Sequence, residues 1–213
     1  MFILPPLPYP ADALAPVLSG VQMQTHHDRH HQTYVTNINK ALAESGGDPE
    51  SLEALVRKAA ASNKKLFNNT AQAWNHGFFW ECMSPQATTP SSALAAAIDK
   101  AFGGMDAFKS RFVEEGAGHF ASGWVWLVAQ GGELSVISTH DAATPITEDE
   151  VTPILVCDVW EHAYYLDRKQ DRKGFLEQWV ARLANWRFAD GQYAAALGDG
   201  VGYRYPAPNK AVA

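Results

Sequence analysis

The sequence is poor in cysteine, in basic charge and in long apolar runs, and each shortage excludes a class of protein. Two cysteines, Cys82 and Cys157, are too few for a disulfide scaffold and favour a reducing compartment. Seventeen Lys and Arg against 23 Asp and Glu give a net charge of −6, whereas non-specific nucleic-acid binding needs a basic face. No apolar run reaches the roughly 18 residues that suggest a membrane span. The start, Met1 to Pro6, lacks a basic segment and is broken by proline, so we expect no export signal. We therefore expect a cytoplasmic protein without nucleic-acid or membrane partners.

The rest of the composition is that of an ordinary globular protein. Apolar residues make up 46% and charged residues 19% of the 213 positions. A chain of this size can bury roughly 70% of its unfolded surface without disulfides. The less usual counts are seven tryptophans and eight histidines.

The first part of the chain is predicted to be helical. Prolines make residues 5–10 an extended arm. Ser19 and Gln22 fit a capping box, in which the Ser side chain caps the helix and the Gln side chain reaches back. One long helix is expected from there to about Glu44, ended by Gly46 and its neighbours. A short helix is expected to begin at Asp48-Pro49-Glu50, and a third to cover about Asn63 to Cys82.

The second part mixes helices with strands. Helices are expected at about 92–102 and 105–116. Two β-rich runs, 123–130 and 133–139, are joined by two glycines, which is a good hairpin signal. A third apolar run, Ile154 to Cys157, follows, and the chain turns helical again to about Arg187. Residues after Asp190 give no firm structural prediction.

These elements predict an α+β fold. Residues 1–86 form an N-terminal all-helical domain, a helical hairpin, and residues 86–92 are a Thr-, Pro- and Ser-rich linker. Residues 92–190 form a C-terminal α/β domain with a three-stranded antiparallel sheet flanked by helices. Residues 191–213 are a tail.

The histidines cluster in segments that also contain aromatic residues. On a helix, side chains four positions apart share a face, so His26, His30 and Tyr34 form one stripe, and His27 and His31 form another. Paired helical histidines are often core or surface residues with satisfied nitrogens. From this segment alone, metal ligation is therefore the less favoured interpretation.

Two further segments add candidate ligands. His76 lies among aromatic residues four positions after Gln72, and by itself such a histidine is more often a core residue. Asp158 follows an apolar, β-branched run, where a buried carboxylate must be paired, hydrogen-bonded or bound to a cation. His162 lies one helical turn later, so a buried Asp–His hydrogen bond and metal ligation are equally good interpretations.

Taken together, the three segments favour a metal site. His26, His76, His162 and Asp158 offer three neutral imidazoles and one carboxylate, a set that suits iron, manganese or zinc. Ligands from both halves of the chain would place the site between the domains, which is a preferred location for pockets.

At this point the motifs resemble a known family, the iron/manganese superoxide dismutases. The motifs are Leu7-Pro8-Tyr9, the run from His26 to Val35, Asn75-His76 with Phe79-Trp80, Ser122-Gly123-Trp124, and the run from Asp158 to Tyr165. The last motif is close to a family signature, and the resemblance extends from about Leu4 to Trp186. It implies conversion of superoxide to oxygen and hydrogen peroxide by an Fe³⁺/Fe²⁺ cycle, with one iron ion per subunit.

The resemblance also implies residue roles. It places the metal ligands at His26, His76, Asp158 and His162. Tyr34 and His30 line the substrate funnel, with Trp124 beside it, and Gln72 hydrogen-bonds solvent on the metal. Glu161 and Tyr165 reach across the interface of a homodimer, which can assemble further into a tetramer. Arg172 matches a funnel arginine that guides the anionic substrate, although an ordinary solvated arginine is an equally good interpretation.

The metal choice depends on one glutamine. The iron branch carries it four residues before the second ligand, as Gln72 stands before His76, whereas the manganese branch carries it after the second strand, where this chain has Ala142. Both positions favour iron, with manganese or mixed metal use as the alternative. His140, near the second position, is a complication of low weight because it aligns two residues early.

The sequence departs from the family in several places, none of them a ligand. Gly77 stands where bulkier residues are usual, and the residues from Gln192 onward lie outside the family core. Two other functions compete. A non-catalytic metal-binding relative is disfavoured because no ligand is missing. A zinc hydrolase is disfavoured because Glu161 is the only nearby carboxylate and no His-Glu-x-x-His helix occurs.

Overall fold

The computed structural model describes residues 1–209, and in them the predicted α+β fold is confirmed. The α-helices are α1 Gly20–Thr25, α2 Gln32–Ser45, α3 Leu52–Ser62, α4 Lys64–Glu81, α5 Ser92–Phe102, α6 Met105–Gly118, α7 Tyr165–Arg168, α8 Arg172–Arg182 and α9 Trp186–Ala196. The strands are β1 Gly123–Gln130, β2 Glu133–His140 and β3 Val151–Asp158. The helical hairpin comes first, and the domain with the three-stranded antiparallel sheet follows it.

The long first helix is not uniform. A π-helical turn, His26–His31, separates α1 from α2, and the Gln32 amide donates to the carbonyl of His27, five residues back. The prediction of one uninterrupted α-helix is therefore wrong at the histidine cluster. The wider turn buries His26, His27 and His31 together and leaves His30 half-buried. Such turns are frequent at functional sites.

Half of the predicted capping box forms. The Ser19 hydroxyl accepts from the amide of Gln22 at 3.1 Å, as expected. The Gln22 side chain does not reach back, because its Nε2 donates to the carbonyl of His162 at 2.6 Å. The backbone amide of Ser19 donates instead to Asp167 Oδ2 at 2.7 Å. A distant carboxylate thus replaces the expected local partner.

The helix predicted to begin at Asp48-Pro49-Glu50 begins later. Ser51 is its N-cap, with its hydroxyl accepting from the amide of Ala54, and the helix runs from Leu52. A serine side chain satisfies an orphan amide of the first turn, which proline cannot do. The other predicted ends hold: Gly46 adopts φ 66° at the end of α2, and the Asn63 side chain caps α4.

Helix α4 carries the residues that place the site. Every residue from Thr70 to Trp80 is buried, so this stretch has no solvent face and packs against α2, α3 and β3. A helical segment that is buried on all sides belongs in the centre of a protein.

The sheet has the order β2-β1-β3, with all pairs antiparallel. Gly131 and Gly132 both adopt positive φ, 57° and 83°, which is the backbone of the predicted two-residue hairpin. In β3, Pro153 sits at a register shift on an edge strand, where a missing donor is tolerated. The register sets Asp158 beside Trp124, at the end of the sheet that faces the helical half.

The chain after β3 forms several separate helical segments. A 3₁₀ turn, Glu161–Ala163, and helix α7 precede α8 and α9. Helix α9 continues to Ala196, across the predicted boundary at residue 190, so the start of the predicted tail is helical. The division into 1–86, 92–190 and 191–213 stays a prediction.

Two glycines that differ in the space available for a side chain give a prediction about stability. A Cβ at Gly123 would collide with the carbonyl of Thr139 and with His119, whereas a Cβ at Gly191, in α9, meets nothing within 4 Å. We expect Gly123→Ala to lower the free energy of unfolding by about 1–3 kcal/mol. Gly191→Ala, the control, should raise it by roughly 0.5–1 kcal/mol. Denaturant unfolding measures both, and an undiminished stability of Gly123→Ala contradicts the packing described.

In the part of the chain that the structure describes, none of the helices combines the length and apolar character that a membrane crossing requires.

Candidate metal centre

Four side chains from distant parts of the sequence meet at one point. They are His26 from the π-helical turn, His76 from α4, Asp158 from the end of β3 and His162 from the following 3₁₀ turn. Each offers one ligand atom, and these four atoms lie within 4.8 Å of one another. The structure therefore brings together all four predicted ligands.

Asp158 is the centre of the cluster. Its Oδ2 lies 3.1 Å from His26 Nε2, 3.6 Å from His76 Nε2 and 3.3 Å from His162 Nε2. Its other oxygen accepts from the backbone amide of Trp160 at 2.8 Å, which fixes the carboxylate plane.

Among residues 1–209, the converging atoms have no satisfactory hydrogen-bond partners. Asp158 Oδ2 and the Nε2 atoms of the three histidines are buried and make no well-directed hydrogen bond. A buried polar atom without a partner is costly, and four of them facing one point fit a bound cation. The donor set of three imidazoles and one carboxylate suits iron, manganese or zinc.

The protonation states also suit a cation. Burial lowers the pKa of His26 to about 4 and that of His76 well below its ordinary value. Burial alone would raise the pKa of Asp158, but the adjacent imidazoles of His162 and His26 outweigh it and lower the pKa. Near neutral pH His26 and His76 are therefore neutral and Asp158 is ionised, which are the forms that bind metals.

Hydrogen bonds fix two of the histidines, His76 through its ring and His162 through its main chain. His76 Nδ1 donates to the carbonyl of Gln72, one turn earlier in α4, at 2.7 Å, which leaves Nε2 free for the site. The carbonyl of His162 accepts from the side chain of Gln22 at 2.6 Å. Such outer partners hold metal-binding histidines in a fixed orientation.

The predicted surrounding residues lie around this point. The His30 ring stacks on His162 with centroids 4.3 Å apart, and the Tyr34 ring lies 5.3 Å from His76. Trp124 meets His76 edge-on at 4.9 Å. Gln72 is buried, with an unpartnered Oε1, and its side chain contacts the Tyr34 hydroxyl. Burial, the charge of Asp158 and this contact together set the pKa of Tyr34 at about 12.

Arg172 is anchored by neutral oxygens. Its guanidinium donates to the Tyr164 hydroxyl at 3.0 Å and to the carbonyls of His119 and Ala121 at 2.6 and 2.9 Å. It therefore holds the 119–121 loop against the start of α8, a contact that the sequence did not reveal.

The predicted interface residues are exposed. Glu161 lies on the surface, and Tyr165 is 44% exposed in the subunit described here. His140 lies opposite Gly123 at the end of β2, with its ring 4.4 Å from that of His119, and it is not one of the four converging residues.

Several neighbours of the site were not predicted as site residues. Trp160 stacks on His162, and Trp80 contacts His26 and donates to His31 Nδ1 at 3.0 Å. Trp80 could have been predicted as a neighbour of the site, because it lies four positions after His76 on the same helix. The contact of His31 with Tyr205, at 3.4 Å, left no local signal because 174 residues separate the two.

Comparison with known proteins agrees with this geometry. Two family models match: the alpha-hairpin domain of iron/manganese superoxide dismutases over residues 1–84, and their C-terminal domain over residues 90–192. Three curated relatives carry the name "Superoxide dismutase [Fe]". That of Entamoeba histolytica is 44% identical, covering 90% of this chain and 98% of its own length. That of Synechocystis is 45% identical, covering 92% and 99%, and that of Escherichia coli K12 is 45% identical, covering 91% and 99%. The chain belongs to the iron/manganese superoxide dismutase family.

Proposed function

We infer that the protein is an iron superoxide dismutase. The observation that carries this conclusion is the convergence of three imidazole nitrogens and one carboxylate oxygen within 4.8 Å, in a chain whose curated relatives are iron superoxide dismutases. We propose that His26, His76, Asp158 and His162 hold the ion. Their buried, unpartnered atoms support this assignment.

The reaction combines two superoxide anions and two protons into one oxygen and one hydrogen peroxide. Iron held by these four residues would supply the redox chemistry, a cycle between Fe³⁺ and Fe²⁺ in which one superoxide is oxidised and a second is reduced. The protein must then position the superoxide anion, deliver two protons and prevent side reactions.

We assign the proton path to His30 and Tyr34. The half-buried His30 ring stacks on His162, so it joins the buried cluster to the outside. The Tyr34 hydroxyl keeps its proton near neutral pH, because its pKa is raised to about 12, and it can donate that proton to a peroxide product and recover it from solvent. Gln72, in contact with this hydroxyl, orients it. The buried ring of Trp124 closes the site beside His76.

The position of Gln72 supports iron over manganese. It enters the site from α4, one turn before His76, whereas the alternative position, after β2, is the buried Ala142, which has no donor to offer. The alternative is a site that works with manganese or with either metal.

Metal exchange tests the proposed function. Metal is removed from the purified protein, which is reloaded separately with iron, manganese or zinc and assayed for the rate of superoxide decay. We expect high activity with iron and low activity with manganese. The reverse order contradicts the argument from Gln72. No activity with either ion, in protein shown to bind it, favours the non-catalytic relative, and ester or peptide hydrolysis with zinc favours the hydrolase.

We propose that the protein works as a homodimer. Phe120, in the loop that Arg172 ties to Tyr164, and Tyr165 and Leu166, which follow Tyr164, expose 86%, 44% and 51% of their surface. Exposed apolar groups of this size mark interaction surfaces, and a two-fold dimer pairs one such surface with its copy. Glu161 and Tyr165 would then reach the partner's site.

The dimer predicts a specific dissociation. Leu166→Glu places a charge in the proposed interface and should give a monomer in sedimentation equilibrium, where the native protein is a dimer. Leu197→Glu is the control, because Leu197 is exposed to the same degree, 52%, at the end of α9. A native protein that sediments as a monomer refutes the proposal, and a tetramer would mean that a second surface is also used.

We propose that Arg172 attracts the substrate. Its three hydrogen-bond partners are neutral, so its positive charge is not cancelled by them. A local positive charge is needed because the net charge of −6 repels an anion.

Salt dependence tests this attraction. The rate of the native enzyme should fall as ionic strength rises, because salt screens the charge. Arg172→Met should be roughly tenfold slower at low salt and lose most of the salt dependence. Arg172→Lys keeps the charge and should keep the dependence. Equal salt slopes in the native enzyme and Arg172→Met would show that the residue serves only to anchor the loop.

We further propose a cytoplasmic location. It is supported by Cys82 and Cys157, which are buried free thiols, as expected for a reducing compartment. Fractionation of cells that produce the protein tests this.

A further inference from the structure

The segment that follows α9, residues 198–209, folds back onto the helical half. The Tyr203 amide donates to the side chain of Gln192 at 3.0 Å, and the Tyr205 amide donates to the buried carboxylate of Glu53 at 2.8 Å. At its end, Asn209 and Met1 exchange backbone hydrogen bonds of 2.9 and 2.6 Å. The segment is thus fastened at three points, and the family match ends before it, at residue 192.

Tyr205 closes a chain of hydrogen bonds that begins beside the metal centre. Trp80 Nε1 donates to His31 Nδ1 at 3.0 Å, so the proton of the His31 ring must be on Nε2, because an indole nitrogen only donates. His31 Nε2 faces the Tyr205 hydroxyl at 3.4 Å, and that hydroxyl donates to the carbonyl of Ile3 at 3.0 Å. Loss of the Tyr205 hydroxyl would therefore remove the side-chain acceptor of His31 Nε2.

His31 in turn lies against a proposed ligand. Its ring is fully buried and is stacked on that of His76, with centroids 5.4 Å apart and planes 29° apart. The orientation of His31 therefore bears on the orientation of His76.

The backbone makes room for this contact at Gly77, the residue after His76. A Cβ there would lie 2.5 Å from the Tyr203 hydroxyl, closer than real Cβ contacts, and 3.0 Å from the Tyr205 ring, tighter than most of them. A bulkier residue would exclude the two tyrosines, so Gly77 and the C-terminal segment fit each other.

We propose that the C-terminal segment is part of the support of the metal centre, and that Tyr205 is a positioning residue that holds His31 against His76. The proposal depends on the proposed function in one respect: it assumes that His76 is a metal ligand.

The test compares two single-atom changes in the iron-loaded protein. Tyr205→Phe removes the hydroxyl of the chain and keeps the ring that packs on Phe2. Tyr203→Phe is the matched control, because it removes a neighbouring tyrosine hydroxyl from the same segment without touching the chain from Trp80 to Ile3. Three quantities are measured: the electron paramagnetic resonance spectrum of Fe³⁺, the rate of iron release to a chelator, and the turnover rate.

We expect Tyr205→Phe to change the rhombicity of the Fe³⁺ signal and to release iron about tenfold faster, with native values for Tyr203→Phe. A loss of stability alone would not alter the spectrum of the folded protein. Native spectrum and release rate in Tyr205→Phe refute the proposal, as do equal changes in both variants.

A second variant tests the same contact by a change at Gly77. Gly77→Ala should push the tyrosines outward and change the Fe³⁺ signal in the same direction as Tyr205→Phe, although alanine is the better helix former. An unchanged spectrum in Gly77→Ala refutes the fit between glycine and segment. If the native protein itself binds iron without dismuting superoxide, the proposed function fails, whereas the spectral comparison still decides the role of Tyr205.

Discussion

Asp158→Asn is expected to abolish superoxide dismutation while leaving the protein folded. An amide keeps the shape of the carboxylate and can keep the acceptor for the backbone amide of Trp160. It brings no negative charge to the cluster, and its nitrogen has no lone pair to offer a cation. Loss of the chemistry of a bound metal costs several kcal/mol, so we expect a loss of roughly a thousandfold in rate.

The unloaded protein should respond in the opposite direction. Without a cation, the fully buried carboxylate of Asp158 is destabilising, whereas an amide in its place donates to the lone pairs of the surrounding imidazoles. Unloaded Asp158→Asn should therefore melt at or above the temperature of the unloaded native protein. Iron should raise the melting temperature of the native protein only, because a ligand at 1,000 times its Kd adds about 4 kcal/mol of stability.

The control for this prediction is Asp141→Asn. It makes the same chemical change at an exposed position whose carbonyl, not its side chain, accepts from Trp124 and Trp160. It should keep activity and the response to iron. Activity in Asp158→Asn, or an iron-dependent rise in its melting temperature equal to that of the native protein, would mean that the cluster is not the metal centre.

Gln72→Ala has the second-largest expected effect, a loss of about 10–100-fold in activity with retention of iron. Gln72 is buried beside the site, its Oε1 has no partner among the described residues, and it contacts the Tyr34 hydroxyl. Because that contact lowers the pKa of Tyr34, its loss should raise the pKa further and weaken the proton donor. Activity and iron content of the loaded variant measure the effect.

Two further variants sharpen this test. Thr70→Val is the control, since Thr70 is a buried polar residue of the same helix whose hydroxyl bonds only to α4 carbonyls. It should keep native activity. Adding Ala142→Gln to Gln72→Ala should restore part of the activity, because the carbonyl of Ala142 lies 3.5 Å from the side chain of Asn75, the neighbour of His76. Full activity in Gln72→Ala would remove the glutamine from the mechanism.

The elements that could be predicted are those fixed by near neighbours in sequence. Asn63 caps α4 because its side chain reaches an amide three residues ahead, and two glycines make the hairpin because they adopt positive φ without strain. Asp48-Pro49 failed as a helix start because Ser51, equally local, is the stronger cap. The candidate ligands could be predicted only from the three segments taken together and from their resemblance to a family. Taken alone, His26 and His76 were better explained as residues without a metal, and His162 fitted both interpretations equally well.

What could not be predicted are the contacts between distant residues. The Gln22 side chain does not complete the capping box but donates to the carbonyl of His162, 140 positions away, and Arg172 holds a loop 51–53 positions before it. In both cases the donor side chain bonds to an acceptor that only the fold brings near it. A local sequence pattern contains no information on which acceptor that is.

The sequence by itself determined the helical hairpin, the three-stranded sheet and, through its motifs, the family and the identity of the candidate ligands. Only the tertiary structure decided that these four side chains converge, that a π-helical turn buries three histidines together, and that Tyr205 reaches His31. The physical reason is range: capping, turns and periodicity act over a few residues, whereas convergence depends on how buried surfaces pack, and packing pairs residues without regard to their separation in sequence.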